Sequence, residues 1–360
     1  MKNNNYCVIM AGGVGSRFWP SSTSKRPKQF LDLFGTGRTL IQMTFDRFRK
    51  LMPAENILIA SNFAYRDLIL EQLPEIKPSQ LLLEPARRNT APCIAYATYK
   101  IASLCPDANI VVSPSDHLIL KEDEFVNIIA KGMDYTASHD CLMTLGIRPS
   151  RPETGYGYIQ TEGDSDNGVF KVKTFTEKPN LELAKVFLES GDFLWNSGMF
   201  LWNVRSISRA FEMYASELSL KFRDGMEFYN TPKEQEYIDK IYQSCTNKSI
   251  DYAIMEKAQN VNVIEADFGW SDLGTWGSLY EIGEKDETAN AVRKGGNILL
   301  YESKGNIISM PEGKLAVIQG AEDFIIAEAD NVLLICKKDE EQRIRDFVNE
   351  AKVKFGEDFV

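Results

Sequence analysis

The segment from Met10 to Phe30 has the sequence MAGGVGSRFWPSSTSKRPKQF and follows an apolar run, Tyr6–Met10, that is typical of a buried strand. Glycines let a backbone approach an anion closely and turn its N–H groups toward it; here they are Gly12, Gly13 and Gly15. Four cations follow, Arg17, Lys25, Arg26 and Lys28, in a chain whose net charge is -10. This combination predicts a polyphosphate site, whereas a plain surface turn would not need four cations.

Two common phosphate-binding motifs do not match this segment. A P-loop requires Gly-Lys followed by Ser or Thr, which is missing here. The dinucleotide fingerprint begins at Gly13 and Gly15 but has Phe18 in place of its third glycine, and no second strand precedes Asp32, where its acidic residue would lie. The loop therefore indicates phosphate binding of another kind. Of its cations, Lys25 and Arg26 could equally be solvated neighbours.

Apolar runs and helix-like patterns alternate along the first part of the chain. The predicted strands are Tyr6–Met10, Asn56–Ala60, Leu81–Glu84, Asn109–Ser113 and Cys141–Ile147, and the predicted helices are Leu40–Met52, Ala64–Gln72, Thr90–Leu104 and Asp123–Ala137. This alternation predicts an α/β fold with a Rossmann-like, mostly parallel sheet and helices on both faces. Ligands bind beyond the carboxyl ends of such strands, where the glycine loop, Glu84 and Asp116 are expected to converge.

Seven motifs in order carry a family resemblance. The glycine loop ends in PKQF at Pro27–Phe30, and it is followed by EPARRNTAP (Glu84–Pro92), PSDH (Pro114–His117), TGYGYI (Thr154–Ile159), TEKP (Thr176–Pro179), WNSGMF (Trp195–Phe200) and GWSDLGTW (Gly269–Trp276). Together they resemble the sugar-1-phosphate nucleotidyltransferases, most closely the mannose-1-phosphate guanylyltransferases. The resemblance implies the nucleotidyltransferase fold and transfer of GMP from GTP to mannose 1-phosphate, giving GDP-mannose and pyrophosphate.

The end of the chain has a different pattern. A charged, turn-prone stretch at Asp286–Arg293 indicates a boundary, and five short apolar runs follow it, NILLY, NIISM, LAVIQ, FIIAE and VLLIC. We predict a catalytic domain over residues 1–285 and a small C-terminal domain over residues 286–360, which the resemblance implies is β-helix-like. The end of the chain is predicted to be a helix that serves packing or a homodimer contact and carries no chemistry. Its apolar stripe consists of Ile344, Phe347, Val348, Ala351 and Phe355.

The implied reaction is attack by a sugar-phosphate oxygen on the α-phosphorus of a nucleoside triphosphate. The second pKa of a phosphomonoester is about 6, so the nucleophile is charged at neutral pH and needs no general base. The chain contains only the histidines His117 and His139, which fits such chemistry and excludes multi-histidine metal centres. The reaction instead needs cations and metal ions that bring two anions into line.

The phosphate and metal ligands are predicted as follows. Arg17 is the candidate for the β- and γ-phosphates and Lys28 for the α-phosphate, beside the loop residues Gly12, Gly13, Gly15 and Ser16. Asp116 follows a hydrophobic strand, and Asp272 resembles the family's second metal-binding carboxylate, so together they are expected to bind Mg²⁺. From the residues alone, each aspartate could instead cap a helix. His117 is expected to support the turn.

The sugar site is predicted from three further motifs. By resemblance, Glu177 binds sugar hydroxyls and Lys178 binds the sugar-linked phosphate. The predicted catalytic residues are Arg17, Lys28, Asp116 and Lys178. The bare Glu-Lys-Pro sequence could also be solvated charge. The loop Gly155–Gly157 is expected to place backbone amides and the aromatic ring of Tyr156 beside the sugar. The side-chain amide of Asn196 and the hydroxyl group of Ser197 are expected to contact sugar hydroxyls.

The base site is predicted after the third strand. Guanine presents N–H donors and an O6 acceptor, and Glu84, Asn89 and Thr90 offer complementary groups. A pocket that satisfies such groups can discriminate by about 10⁴ against a base that leaves them unpaired. The same residues are also an ordinary helix entry, with Thr90 as its cap. The guanine assignment therefore depends mainly on the resemblance.

Composition excludes several other functions. The acidic balance argues against binding of nucleic acid or anionic membranes. No apolar run reaches the roughly 20 residues of a membrane helix, and no signal-peptide pattern occurs. The six cysteines are scattered without a C-x-x-C pair, which is typical of free thiols in a reduced cytoplasm.

Three alternatives stay open on the sequence. The enzyme could transfer another nucleotide or use another sugar 1-phosphate. The chain could be a non-catalytic regulatory subunit that binds a nucleotide sugar, although the presence of Arg17, Lys28, Asp116 and Asp272 argues against this. A nicotinamide-dependent dehydrogenase is a third alternative, which the missing third glycine disfavours.

Overall fold

The computed structural model describes residues 4–293 and 296–360. Within these residues the chain forms two compact units, each built from separate segments. As far as these ranges are described, the first unit contains Met1–Gly12, Thr44–Ser115 and Ile119–Trp270, and the second contains Gly13–Met43, Asp116–Leu118 and Ser271–Val360. The predicted boundary between a catalytic domain, 1–285, and a C-terminal domain, 286–360, stays a prediction.

The regular elements have the following bounds. The strands are β1 (Asn5–Met10), β2 (Ile57–Asn62), β3 (Leu81–Glu84), β4 (Asn109–Pro114), β5 (Leu118–Ile119), β6 (Leu142–Ile147), β7 (Tyr158–Asp166), β8 (Val169–Thr176), β9 (Phe193–Asn203), β10 (Val261–Ala266), β11 (Trp270–Ser271), β12 (Ala291–Val292), β13 (Asn297–Tyr301), β14 (Ile307–Ser309), β15 (Leu315–Gln319), β16 (Phe324–Ala329) and β17 (Val332–Lys337). The α-helices are α1 (Leu40–Arg49), α2 (Arg66–Gln72), α3 (Thr90–Leu104), α4 (Glu122–Ser138), α5 (Leu181–Ser190), α6 (Val204–Tyr214), α7 (Ser216–Arg223), α8 (Glu234–Tyr242), α9 (Trp276–Ile282) and α10 (Ile344–Phe355).

A single large sheet forms the centre of the first unit. In the described residues it has nine strands in the order β3-β2-β1-β4-β9-β6-β10-β8-β7. The strands β3, β2, β1 and β4 are parallel, and Val8 pairs with both Leu58 and Val112. Strand β9 runs antiparallel to β4 and β6, and β7 and β8 form an antiparallel pair. The sheet therefore joins a parallel half, which the βα alternation predicted, to a mixed half.

Both faces of the parallel half are covered. Since successive strand side chains point to opposite faces, Val8 and Val112 pack with α3 and α6–α8 on one face, and Cys7 and Ile9 are buried on the other. Helix α4 packs against β4, β9 and β10. Burial on both faces explains why these strands are continuously apolar. The predicted α/β fold class is confirmed.

The second unit has an apolar cluster drawn from distant parts of the sequence. Phe18 packs with Trp276 of α9 and Ile344 of α10, and all three are fully buried. The rings of Phe18 and Trp276 lie 5.4 Å apart. The indole Nε1 of Trp19 donates a hydrogen bond to the carbonyl of Phe359 at 2.7 Å. The glycine-loop segment and the last helix are thus parts of one core.

Short parallel strands coil within the second unit. Strand β14 lies parallel between β12 and β16, and β13 pairs in parallel with β15. Buried asparagines join successive turns of the coil: Asn306 N donates to Asn290 Oδ1 at 3.0 Å, and Phe324 N donates to Asn306 Oδ1 at 2.9 Å. This stacking is β-helix-like, and the chain then forms the helix α10, as predicted.

The six cysteines are free. Across residues 4–293 and 296–360, no helix combines the length and apolar character required to cross a membrane. The cytoplasmic location stays a prediction.

Candidate active site

The second unit contains a cavity of about 380 Å³ with a strongly charged wall. Backbone of the glycine loop forms one part of the wall, from Gly13 to Phe18. The charged and titratable residues of the wall are Arg17, Lys28, Asp116, His117, Asp272 and Arg345. The structure therefore brings together the four side chains that the sequence predicted for phosphates and metal.

Gly15 allows the loop to fold directly against Lys28. Its φ is +69°, a conformation that glycine adopts without strain. A Cβ atom at this position would lie 2.5 Å from the Cβ of Lys28, which is a severe clash. At Gly13, by contrast, an added Cβ would meet nothing within 4 Å, so the backbone there is open to a ligand.

Lys28 contacts three oxygen atoms although its side chain is only 5% exposed. Its Nζ lies 2.7 Å from Asp116 Oδ2 and donates to the carbonyl oxygens of Asp272 and Leu273, both at 2.9 Å. Burial alone would raise the pKa of Asp116, but the charges of Lys28 and His117 and the hydrogen bond from Lys28 outweigh it and lower that pKa. Asp116 is therefore ionised at neutral pH.

Neither aspartate caps a helix. The N-cap residue of α4 is Lys121, and that of α9 is Thr275, whose side chain accepts a hydrogen bond from Ser278 N. The alternative interpretation of Asp116 and Asp272 as caps is wrong. Asp272 Oδ1 instead accepts a hydrogen bond from Gly274 N at 3.0 Å.

Strained backbone lies at three of the predicted motifs. Leu273, next to Asp272, has a φ of +47°, Lys178 has a φ of +48°, and Asn89 has a φ of +65°. Non-glycine residues in this region cost free energy, which surrounding contacts must offset. Six further non-glycine residues of the described structure also have a positive φ, so this conformation accompanies the motifs without distinguishing them.

The four cations of the glycine-loop segment have different environments. Lys28 and Arg17 line the cavity, and Arg17 Nε is buried without a hydrogen-bond partner in the described structure. Lys25 is exposed and pairs with Asp358 at 3.1 Å, and Arg26 is also exposed. Only two of the four therefore lie where they could contact a cavity ligand.

The carboxylates of the cavity fit a metal ion that arrives with its substrate. No cluster of three or more His, Cys, Asp or Glu residues suited to a metal occurs in the part of the chain that the structure describes. Mg²⁺ is commonly held by one or two carboxylates, substrate phosphates and water. Asp116 and Asp272 supply two oxygen-donor side chains in the wall of one cavity. This donor set suits a divalent metal ion that substrate phosphates also help to hold.

Glu84 forms a second polar site, at the carboxyl ends of β1 and β3 in the first unit. A Cβ atom on Gly12 would lie 3.6 Å from Glu84 Oε2. The hydroxyl group of Tyr242 donates a hydrogen bond to Glu84 Oε1. Burial raises the pKa of Glu84 to about 7, although the hydrogen bond from Tyr242 acts in the opposite direction. The Tyr242 partner was not predicted from the sequence.

The other two predicted base-site residues begin helix α3. Asn89 is its N-cap residue, and its side chain accepts a hydrogen bond from Thr90 N at 2.9 Å. Thr90 Oγ1 accepts a hydrogen bond from Ile250 N at 2.9 Å. The helix entry is therefore real, but Asn89 rather than Thr90 is its cap.

The predicted sugar-site residues lie together in the first unit. Lys178 N donates to the carbonyl of Tyr156 at 3.2 Å, and Lys178 pairs with Glu177. A Cβ atom on Gly157 would lie 2.5 Å from Glu177 Oε2, so a larger residue there would displace the Glu177 carboxylate. The side chain of Glu177 is buried, whereas that of Lys178 is half exposed.

Buried hydrogen bonds hold the predicted residues Asn196 and Ser197. Asn196 Nδ2 donates to Asp251 Oδ1 at 2.9 Å, and its Oδ1 accepts from Thr144 Oγ1 at 3.0 Å. Ser197 is 1% exposed, and its Oγ accepts from Met199 N at 3.3 Å. These contacts favour a positioning role for both side chains.

Asp251 is a candidate that the sequence interpretation missed. Burial, and then the neighbouring charge of Glu177, raise its pKa to about 6. It lies in a short π-helix, Asp251–Met255, of which Ala253, Ile254 and Met255 are buried. In the sequence, Asp251 is only a single acidic residue in an apolar run, and such a pattern is a weak indication of a functional site.

Comparison with known proteins adds independent evidence. The model of the nucleotidyl transferase family matches residues 6–289, and that of the MannoseP isomerase/GMP-like beta-helix domain matches residues 296–350. The mannose-1-phosphate guanylyltransferase of Escherichia coli is 35% identical over 352 residues, which are 95% of this chain and 74% of that protein.

Two solved structures are similar over most of their length. A crystal structure from Thermus thermophilus, described as a mannose-1-phosphate geranyltransferase, has a TM-score of 0.87 and 27% identity, covering 97% of this chain and 99% of that one. A mannose-6-phosphate isomerase from Helicobacter pylori has a TM-score of 0.61 and 29% identity, covering 74% of this chain and 99% of that one. Since a family model spans most of the sequence and the bacterial relatives align over nearly all of it, the chain belongs to the nucleotidyl transferase family, in the group of the mannose-1-phosphate guanylyltransferases.

Proposed function

We propose that this chain transfers GMP from GTP to mannose 1-phosphate and releases pyrophosphate. The names of its relatives support these substrates. The observation that carries the chemistry is the buried contact of Lys28 with Asp116, in a cavity also lined by Arg17 and Asp272. These are the kinds of groups that hold a triphosphate and its metal ion in phosphoryl transfer.

The cations of the cavity bind the triphosphate. Arg17 contacts the β- and γ-phosphates, because a guanidinium group donates two parallel hydrogen bonds to phosphate oxygens. Lys28 acts at the α-phosphate as a point charge, and the backbone of Gly13, Gly15 and Ser16 lies beside them. No residue has to remove a proton from the sugar phosphate, since that group is already ionised. The residues act by orienting the phosphates and stabilising their charge.

Mg²⁺ is the proposed divalent ion, held by Asp116 and Asp272. When bound, it neutralises negative charge on the phosphate oxygens. Lys28 prepares this site, because it keeps Asp116 ionised and holds the carbonyl oxygens of residues 272 and 273 in place.

Two sites of the first unit select the sugar and the base. Glu177 accepts hydrogen bonds from sugar hydroxyls and Lys178 binds the sugar phosphate, beside the loop of Gly155, Tyr156 and Gly157. The carboxyl group of Glu84 accepts hydrogen bonds from the N1–H and N2–H groups of guanine, next to Gly12, with Asn89 and Thr90 at the start of α3. In each case a buried acidic group supplies the selectivity, because a ligand without the matching donors would leave its second carboxylate oxygen without a hydrogen bond.

A substrate matrix with a pyrophosphate readout tests this function. GTP, ATP, UTP, CTP and dTTP are each paired with mannose 1-phosphate and with glucose 1-phosphate, with and without Mg²⁺. GTP with mannose 1-phosphate should be the best pair and should require the metal ion. A separate assay for isomerisation of mannose 6-phosphate tests whether the chain has the activity for which the similar Helicobacter pylori protein is named. Release of pyrophosphate from none of the pairs would refute the proposal.

We also propose that two copies associate through the C-terminal segment. Strands β13 and β15 pair with Leu299 opposite Val317, and the middle of their outward face is apolar. The exposed hydrophobic residues of this face are Leu299, Tyr301, Leu315 and Val317, and Asn297 and Gln319 are exposed beside them. An exposed apolar patch of this kind is typical of a protein interface. Light scattering after gel filtration should give a dimer that Val317→Arg dissociates, whereas Leu104→Arg, on α3, should leave it intact.

A further inference from the structure

Arg345, on the terminal helix α10, lines the same cavity as Arg17 and Lys28. Helix α10 packs against the short turn Ser16–Phe18 of the glycine loop. The preceding residue, Ile344, is fully buried in the cluster that contains Phe18. The backbone position of Arg345 is therefore set by the core contact of its neighbour Ile344.

The wall of the cavity contains three basic side chains, Arg17, Lys28 and Arg345, but only the two carboxylates of Asp116 and Asp272. Lys28 is paired with Asp116. Within the described residues, neither Arg17 nor Arg345 forms an ion pair, and Arg17 Nε is buried without a hydrogen-bond partner. Partial burial, and then the charge of Arg17, lower the pKa of Arg345. Two guanidinium groups that repel each other at a cavity wall are stabilised when an anion binds between them.

We propose that Arg345 is a phosphate-binding residue of the active site and holds, with Arg17, the two terminal phosphates of the nucleoside triphosphate and the pyrophosphate they become. This inference rests on the proposed nucleotidyl transfer. Arg345 lies outside the nucleotidyl transferase match at residues 6–289 and inside the beta-helix match at residues 296–350. The C-terminal segment thus contributes a binding group in addition to its packing contacts.

Calorimetric titration of the full chain with inorganic pyrophosphate and Mg²⁺ tests the inference. Arg345→Gln should weaken pyrophosphate binding about tenfold or more, because a charge-assisted contact is lost. GMP, which lacks the two terminal phosphates, should bind the variant within about twofold of wild type. Lys354→Gln is the matched control: it removes a positive charge from the same helix, but Lys354 is exposed and pairs with Glu350. Its affinity for pyrophosphate should be unchanged.

Two outcomes overturn the inference: wild-type protein that does not bind pyrophosphate, or Arg345→Gln protein that binds it as tightly as wild type. Arg345→Lys keeps the positive charge but loses the parallel N–H donors of the guanidinium group. Its affinity for pyrophosphate should lie between those of wild type and Arg345→Gln. Thermal unfolding of each variant shows whether it is folded. Pyrophosphate contains neither base nor sugar, so a wrong choice of GTP or mannose 1-phosphate would refute the proposed function without changing this result.

Discussion

The ammonium group of Lys28 lies 2.7 Å from the carboxylate of Asp116 and bonds to the backbone carbonyl of Asp272, 244 residues away in sequence. One buried cation thus fixes the position of both predicted metal ligands. It also determines the charge of one of them, because it lowers the pKa of Asp116. A change at Lys28 is therefore expected to affect both aspartates.

Lys28→Met should destabilise the protein by about 2–4 kcal/mol, because it removes a charge-assisted contact to Asp116 and two to backbone carbonyls. The rate of GDP-mannose formation should fall about 100-fold or more. Urea unfolding and steady-state kinetics measure the two effects. Lys25→Met is the control, since Lys25 is exposed and its pair with Asp358 should contribute less than about 1 kcal/mol. Equal stability of the Lys28 and Lys25 variants would contradict the prediction.

Acid should weaken the Lys28–Asp116 contact. The folded-state pKa of Asp116 is below its ordinary value of 3.8, so its contribution to stability is present above that value and is lost as the pH falls through the depressed pKa. Lys28→Met should lose this contribution at every pH. Unfolding free energies at pH 3 and pH 6 should therefore show a larger difference between wild type and variant at pH 6, and an equal difference at both would contradict the assignment.

Asp272→Asn should separate metal binding from structure. Asparagine keeps an oxygen that can accept the hydrogen bond from Gly274 N, and the backbone contact to Lys28 does not involve the side chain. The free energy of unfolding should change by less than about 1 kcal/mol. The Mg²⁺ concentration for half-maximal activity should rise about tenfold or more. Asp267 is an exposed aspartate that pairs with Lys121, and Asp267→Asn should leave this concentration unchanged. An unaltered Mg²⁺ titration for Asp272→Asn would remove this residue from the metal site.

Glu84→Gln should change the pH dependence of stability. Burial raises the pKa of Glu84 from 4.5 to about 7, so the wild-type fold binds a proton more tightly than the unfolded chain and loses stability as the pH rises between these values. The glutamine variant does not lose stability in this way, because its side chain does not titrate. Relative to wild type, it should gain up to about 3 kcal/mol between pH 4 and pH 8 in denaturant unfolding. A difference between the two proteins that does not vary with pH would contradict the buried environment.

Asp251 should affect the sugar phosphate more than the nucleotide. Asp251→Ala removes the acceptor for Asn196 Nδ2 and the charge beside Glu177. The KM for mannose 1-phosphate should rise about tenfold, while that for GTP changes less than about twofold. Asp251→Asn, which keeps an acceptor but not the charge, shows which of the two matters. A larger effect on GTP than on mannose 1-phosphate would contradict the assignment.

The elements that depend on local sequence were predicted well. Strand Leu81–Glu84 and helix Thr90–Leu104 have the predicted bounds, because an apolar run and a capped helix entry are local signals. Lys28 and Asp116 were predicted because they belong to motifs. Arg345 was not, since its position depends on the packing of Ile344 against Phe18. Tyr242 and Glu84, 158 residues apart, form a contact that no local pattern records.

The shared core of Phe18, Trp276 and Ile344 has a practical consequence for fragments of this protein. A recombinant chain cut just before Ile344 would leave the aromatic rings of Phe18 and Trp276 facing water, and Trp19 would lose its acceptor at Phe359. Such a fragment should be digested faster by proteases at the glycine loop than the intact chain. Attempts to crystallise or express the nucleotide-binding part alone should therefore retain the last helix.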